Sequence, residues 1–420
     1  MIFSTSTITE RKRRTALALN TVLKNEDTVI VYSGTPIQKP GGHDQTYPFL
    51  PHPDYFWISG TRRPYGVSAY TKTDGWIDFV LPVTREERIW EGGAEVIPGK
   101  DLAEFSPWMD KRNSQRVFNL TQESDEAEWL QIKETFSRQR RIKDSEEVAL
   151  VRRLATIANA GYQKLKTSVR PGISERQIQL DYEMAVLYAG SEKLPYDSIV
   201  GTGSNSATLH AIPTSRIVKD SEHVLIDAGA DIQDYCVDIT RIFPANGRRS
   251  DRLDAIYDLV LKAQLESIAM CVPGTSWKEV HLKSARVIAQ GLVDLNILKV
   301  SAEEAVHSNT ISVFFPHGVG HMVGLRVRDV GGPYNPNPKK YAGARLRVDM
   351  TLEENHLMTV EPGVYFIEAL LRDAETRRTF GDQVNWTEAE KWLDFGGVRI
   401  EDDILVTSRG PDNLTAVVEK

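Results

Sequence analysis

The chain has 420 residues, 41% hydrophobic and 26% charged, with a formal net charge of −7 and two cysteines. That length exceeds one ordinary core and suits two domains, and the proportions exclude both a disordered chain and a membrane-spanning one. Cationic residues are scattered apart from Arg11-Lys12-Arg13-Arg14, which argues against a nucleic-acid surface, and Cys236 and Cys271 are too few for a disulfide framework or a thiolate metal site, which suits a reducing, cytoplasmic setting.

Thr9-Glu10 opens a helix running through Leu17, Leu19 and Leu23, and the basic, hydroxyl-rich start lacks the apolar segment of a secretory signal. Between residues 28 and 135, short β-like runs (28–32, 66–70 and 77–81) alternate with loops rich in Pro and Gly, which describes a small α/β domain. From Arg138 a charged tract takes over, with Ile142, Val148, Val151, Leu154 and Ile157 at helical spacing. The predicted boundary falls there, giving domains over 1–137 and 138–420. Within the second, Pro171-Gly172-Ile173-Ser174 and Pro273-Gly274-Thr275-Ser276 each place a serine at an N-cap before a helix-like segment. This faint echo suits a domain built from two related halves.

Four acids stand where apolar patterning does not want them. Asp227 ends the run Val224-Leu225-Ile226, and Asp238 lies inside the alternating stretch 235–240; Glu361 sits in LMTVEPGVYF and Glu401 in GGVRIEDDILV. A carboxylate in a mostly buried strand costs several kcal/mol unless it is paired or bound to a cation. Each alone could be a turn acid, a helix cap or half of a surface ion pair. Together with a histidine from the glycine-rich FFPHGVGHMVGLRVRDVGG, they form a set of hard oxygen donors plus one imidazole. Such a set suits a pair of divalent cations, which carboxylates can bridge at ~3.5–4 Å.

The order D-A-G, V-D-I-T-R, P-H-G-V-G-H, V-E-P-G and G-G-V-R-I-E-D-D resembles the proline-specific metallopeptidases of the pita-bread fold, the prolidases (Xaa-Pro dipeptidases) and Xaa-Pro aminopeptidases. The resemblance is strong from about Arg138 onward, and YPFLPHPDYFWISGTRRPYGV resembles the amino-terminal creatinase-type domain of that family. It implies an α/β (α+β) architecture: a small amino-terminal creatinase-like α/β domain, then a carboxy-terminal pita-bread catalytic domain with pseudo-twofold halves. By the same resemblance Asp227, Asp238, His321, Glu361 and Glu401 match the ligands of two divalent metal ions, Mn²⁺ first, with Co²⁺ or Zn²⁺ as alternatives. Gly318, Gly320 and Gly324 would let backbone approach the pocket closely. His317 would support a ligand, face the substrate, or be satisfied in the core. His210 matches a histidine beside the substrate, and Arg347 falls where prolidases carry an arginine for the dipeptide's carboxylate. Arg399, two residues before Glu401, shares its strand face by period-two alternation and could grip the same carboxylate. The implied reaction is hydrolysis of the bond before proline by a water shared between the two cations, with Glu361 carrying the proton and His210 or His317 stabilising the oxyanion.

Arg328 departs from the resemblance, standing where most relatives carry histidine. It cannot exchange protons at physiological pH, but it can donate strong hydrogen bonds to an oxyanion or a carboxylate, so it too is a candidate catalytic residue. Glu354-Asn355-His356 replaces a Pro-Gly-Met turn. The long connection between Glu361 and Glu401 looks like that of the prolidases and favours a dipeptidase acting on Xaa-Pro; a homodimer in the cytoplasm is expected. QGLVDLNILKVSAEEA and DNLTAVVEK look as much like a bacterial Xaa-Pro aminopeptidase, which is the alternative. A pita-bread binding protein that has lost catalysis is the reading from another class, and the complete ligand set speaks against it. The partner expected is a small peptide, with no nucleic acid and no membrane.

Overall fold

The computed structural model describes residues 2–92, 97–112 and 116–420, and it divides into two compact units, Met1–Glu146 and Glu147–Lys420. In the first unit, α1 (Thr5–Leu19) begins where the Ser4 hydroxyl accepts from the Thr7 amide. It starts a turn earlier than Thr9 because the serine-threonine run supplies its own cap. Strands β1 (Asp27–Tyr32), β2 (Val67–Thr71), β3 (Gly75–Val80), β4 (Lys100–Asp101) and β5 (Arg116–Asn119) form one mixed sheet in the order β4-β3-β2-β1-β5. The inner pairs are antiparallel and the outer ones parallel. The other helices are α2 (Pro53–Ser59), α3 (Arg85–Trp90), α4 (Phe105–Asp110) and α5 (Ala127–Arg141). Asp54 of α2 is buried, and Lys133 and Arg140 of α5 both donate to it, which makes a buried carboxylate tolerable there.

The helical tract expected from Arg138 is two helices. Ile142 leaves α5 with extended backbone, and α6 (Ser145–Ser168) starts afresh. In the second unit α7 (Glu175–Tyr188) is followed by β6 (Ile199–Thr202), β7 (His223–Asp227), the hairpin β8 (Asp231–Ile232) and β9 (Tyr235–Cys236), and β10 (Thr240–Pro244), with β7 central in the order β10-β7-β6. A second series opens with α8 (Asp251–Ala269), α9 (Trp277–Asp294) and the short α10 (Ala302–His307). Its strands are β11 (Lys340–Tyr341), β12 (Ala344–Arg345), β13 (Leu357–Val360), β14 (Gly363–Tyr365), β15 (Gly397–Arg399), β16 (Asp402–Leu405) and β17 (Asp412–Asn413). There β13-β16-β17 form a sheet and β14 pairs with β15. One core cluster lies in this series, where Val260, Trp277, Ile288, Phe314, Met358 and Ile404 are buried together. Among the described residues no helix is long and apolar enough to cross a membrane.

The two Pro-Gly-x-Ser turns repeat a backbone device. Gly172 and Gly274 adopt φ of 88° and 91°, and their amides donate to the carbonyl oxygens of Val218 (3.0 Å) and Leu352 (2.8 Å). Glu175 and Trp277, each one residue past the serine, then donate to Arg216 and Met350. Each turn hooks the start of a helix onto a returning segment in the same way. They differ at the cap itself: Ser174 forms a full capping box with Gln177, whereas Ser276 makes no side-chain cap bond.

Candidate metal centre and active site

His210, Asp227, Asp238, His317, His321, Arg328, Arg347, Glu361, Arg399 and Glu401, the side chains singled out from the sequence, all line one cavity of about 790 Å³ in the second unit. Asp227 is the last residue of β7, buried along its whole length, so the apolar run that drives the strand inward delivers its terminal carboxylate to the cavity. Thr240 pairs with Asp227 across the ladder. The Tyr196 hydroxyl lies 2.8 Å from Asp227 Oδ1 and 2.6 Å from Asp238 Oδ1, so one O–H is shared between two acids.

His321 comes from an irregular loop laid against β13. Its amide donates to Thr359 Oγ1 and its carbonyl oxygen accepts from the Thr359 amide. Gly320 permits that approach, since a Cβ there would lie 2.1 Å from the Thr359 carbonyl oxygen; at Gly318 the nearest atom, on the Leu346 side chain, would be 3.3 Å away, so no such close approach depends on it. Glu361 follows β13 directly, its amide on the Val319 carbonyl oxygen. Glu401 lies between β15 and β16, where its amide donates to the Thr240 carbonyl oxygen at 3.2 Å and its carboxylate accepts from the Thr240 hydroxyl at 2.7 Å.

His321 Nδ1 lies 3.0 Å from the Met322 carbonyl oxygen, which can only accept, so the proton belongs on Nδ1 and the Nε2 lone pair faces the acids. Nε2 is 3.6 Å from Asp238 Oδ2 and 3.7 Å from Glu361 Oε1. One donor atom each from Asp238, His321 and Glu401 gathers within 4.8 Å, all three residues being buried. Burial and the neighbouring carboxylates hold Asp238 and Glu401 well above the usual carboxylate range. Burial also pushes Glu361 up to about 7 and His321 down to about 4. Buried acids that repel one another beside an unprotonated imidazole are what a divalent cation would relieve, and the donor set has the chemistry for one. Asp227, linked to Asp238 through Tyr196, and Glu361, beside His321, lie next to this group.

Arg399 is anchored within the site by three hydrogen bonds. Its Nη2 is 2.6 Å from Asp227 Oδ2, its Nη1 3.0 Å from the Tyr365 hydroxyl and its Nε 3.1 Å from Thr240 Oγ1. The alternation that turns it inward also delivers it to Asp227, so each of its nitrogens has a protein partner, with one N–H left over on Nη1 and one on Nη2 at the cavity. Tyr365, having accepted from Arg399, donates to His317 Nε2 at 2.9 Å, and His317 Nδ1 donates to the Gly318 carbonyl oxygen at 2.8 Å. A hydrogen-bonded line therefore joins Asp227, Arg399, Tyr365 and His317. It leaves His317 no N–H for an oxyanion, and burial, followed by the Arg399 charge, holds its imidazole down at about 3. His317 thus supports the site through this line.

His210, Arg328 and Arg347 also reach the cavity, and among the described residues they make no hydrogen bond or ion pair. Burial, then the Arg328 charge, lowers both His210 and Arg347 from their ordinary values. Tyr196, Thr240 and Tyr365 escaped the sequence reading. A tyrosine in an apolar run reads as core, and the only signal was nearness in sequence, Thr240 inside V-D-I-T-R and Tyr365 just past V-E-P-G.

Residues 149–408 match metallopeptidase family M24, and the chain belongs to that family. Its mixed α/β architecture, with an amino-terminal domain and a pita-bread domain, is that of the aminopeptidase P structures. Aminopeptidase P from E. coli with the inhibitor Pro-Leu is similar with a TM-score of 0.78 at 26% identity, covering 100% of this chain and 96% of that one. A Botryotinia fuckeliana protein named as a probable Xaa-Pro aminopeptidase is 33% identical over 398 residues, 90% of this chain and 87% of the relative. A Talaromyces marneffei protein of the same name is 32% identical over 405 residues, 89% and 86% of the two chains. These likenesses favour the aminopeptidase alternative over the expected dipeptidase. The long connection between Glu361 and Glu401 folds into short helices at Glu368–Leu371, Ala374–Phe380 and Trp386–Glu390, and none of these helices lines the cavity.

Proposed function

We propose that the protein is an Xaa-Pro aminopeptidase, releasing the amino-terminal residue from peptides with proline second and using two divalent cations, Mn²⁺ first, with Co²⁺ or Zn²⁺ as alternatives. The observation that carries the reading is the assembly of Asp227, Asp238, His321, Glu361 and Glu401 in one cavity of a chain that relatives named Xaa-Pro aminopeptidase match along most of their length. Divalent cations held there would supply Lewis acidity and bring the ionisation of water near neutral pH. The chain's own residues do the rest. Tyr196 holds Asp227 and Asp238 in register, Thr240 fixes the Glu401 carboxylate, and Arg399 orients Asp227. Glu361 is placed to carry a proton from the attacking water to the leaving proline nitrogen. Arg328 and Arg347, without hydrogen-bond or ion-pair partners among the described residues, are left to grip the developing oxyanion or the peptide beyond the scissile bond.

The test compares a Xaa-Pro-Xaa tripeptide with a Xaa-Pro dipeptide, with Mn²⁺ added. Release of the first residue from the tripeptide, with the dipeptide a poor substrate, is the expected outcome; cleavage of the dipeptide alone would return the reading to prolidase. A cytoplasmic location belongs to the same proposal, since the free thiols Cys236 and Cys271 suit a reducing compartment, and a homodimer is proposed with it. Light scattering on purified protein checks the dimer.

A further inference from the structure

Beneath Glu401, on the side away from the cavity, lies a buried polar hub. Thr240 and Arg241 are consecutive in β10, so their side chains point to opposite faces. Thr240 uses the cavity face, where its hydroxyl meets the Glu401 carboxylate. Arg241, only 2% exposed, takes the other.

The Arg241 guanidinium has five N–H donors, and each finds an acceptor. Nε donates to the Glu419 carbonyl oxygen (3.0 Å), Nη1 to those of Thr240 (2.9 Å) and Glu401 (2.6 Å), and Nη2 to Asp402 Oδ1 (2.7 Å) and the Val418 carbonyl oxygen (2.7 Å). Asp402 is gripped in turn by Lys420 Nζ at 2.7 Å, by Gln264 Nε2 at 3.2 Å and by the Thr415 hydroxyl at 3.0 Å. Glu401 sits in a gap between β15 and β16, and both of its main-chain polar groups are held by the same dipeptide: its N–H by the Thr240 carbonyl oxygen, its C=O by Arg241.

Stability alone is a poor reason for such a group. Well-packed apolar side chains replacing a buried ion pair are often as stable or more so, whereas a saturated fork of directional bonds fixes where the backbone must lie. We propose that Arg241, together with segment 415–420, is a positioning device for Glu401, so that the metal affinity of the site depends on contacts made on the far side of the strand. The inference rests on the metal-centre reading above. Arg241 touches no substrate; it acts through Glu401.

The experiment titrates metal-free protein with Mn²⁺ by calorimetry and follows heat unfolding of the same preparations with chelator present. Two variants are compared with the parent: Arg241→Lys, which keeps a charge beside Asp402 but loses the fork, and Lys420→Met, which leaves Arg241 in place and loosens Asp402. Outer partners of metal ligands typically change affinity ~10- to 100-fold, so Arg241→Lys is expected to weaken Mn²⁺ binding by about 10-fold or more and Lys420→Met by a smaller but measurable factor. The metal-free Tm of Lys420→Met should stay close to the parent value. Parental Mn²⁺ affinity in both folded variants overturns the proposal, as does a loss of affinity seen only where the metal-free protein is already partly unfolded at the assay temperature. If Arg241→Lys does not fold, Lys420→Met decides alone. Metal uptake is read without peptide, so a parent that binds Mn²⁺ but cleaves no Xaa-Pro bond would sink the peptidase reading and leave this one standing.

Discussion

Asp238 and Glu401 are each buried among other acids, so removing either takes away a donor atom and leaves the site short of charge for its cations. Asp238→Ala and Glu401→Ala are expected to lower kcat by on the order of 100-fold or more and to reduce bound metal, with the far-ultraviolet dichroism unchanged. Full activity in either variant would sink the ligand assignment. Arg328 offers a finer test. An arginine keeps its proton at any physiological pH, so Arg328→His should stay active and add or shift a limb of the kcat/KM profile between about pH 5.5 and 7.5, where an ordinary histidine titrates. Arg328→Ala should lose activity and keep its metal; parental rates and profiles in both variants would turn Arg328 away from the substrate. Of the four acids only Asp227 lies within a strand; Asp238, Glu361 and Glu401 stand just outside one. At this scale they were legible because a carboxylate that ends or interrupts an apolar run is an anomaly visible in a few residues. Tyr196, Tyr365 and Thr240 were not, because their hydroxyls gain meaning only from acids brought to them by other strands.

Among the elements, the paired turns and the His321 loop make contrasting use of glycine. At Gly172 and Gly274 a Cβ would meet nothing within 4 Å, but both backbones are left-handed. Alanine at either should cost about 1–2 kcal/mol by conformation alone, and nearly the same in both halves. At Gly320 the added Cβ would run into the Thr359 carbonyl oxygen, so Gly320→Ala should cost about 3 kcal/mol, the upper end for overpacking, and also weaken metal binding because the loop carrying His321 must shift. Denaturant unfolding and metal titration of the three variants separate the cases; a Gly320→Ala protein with the parent's metal affinity would show that His321 does not depend on this contact. α1 begins a turn before Thr9 and Ser276 precedes its helix without a side-chain cap bond, whereas the helix start at Ser174 was readable from capping chemistry. The break between α5 and α6 was not, because Ile142 continues the apolar spacing while its backbone leaves the helix.

For the whole molecule, pH sets two opposed groups against each other. His223 and His281 are buried and held down at about 4 by burial, against about 6.5 when unfolded. Between those values the unfolded chain binds the extra protons. The stability they contribute is therefore complete above about pH 6.5 and is lost as pH falls toward 4, at up to about 1.4 kcal/mol per pH unit for each. The buried acids run the other way. Glu361 at about 7 in the metal-free fold, against about 4.3 unfolded, contributes stability that is present at low pH and lost as pH rises through that interval. Without metal the two trends oppose and the dependence of Tm on pH between 4 and 7 should be shallow. With metal bound the carboxylates are held ionised, their compensation disappears, and protons compete with the cations, so the Tm of loaded protein should fall steeply below about pH 6. His223→Gln removes one titrating group while an amide can still donate to the Gly397 carbonyl oxygen, which His223 Nε2 reaches at 2.8 Å. Its acid slope should be smaller by about one histidine's share in both metal-free and loaded protein. A metal-free protein as steep as the loaded one, or a His223→Gln slope equal to the parent's, would assign the acid sensitivity to other groups.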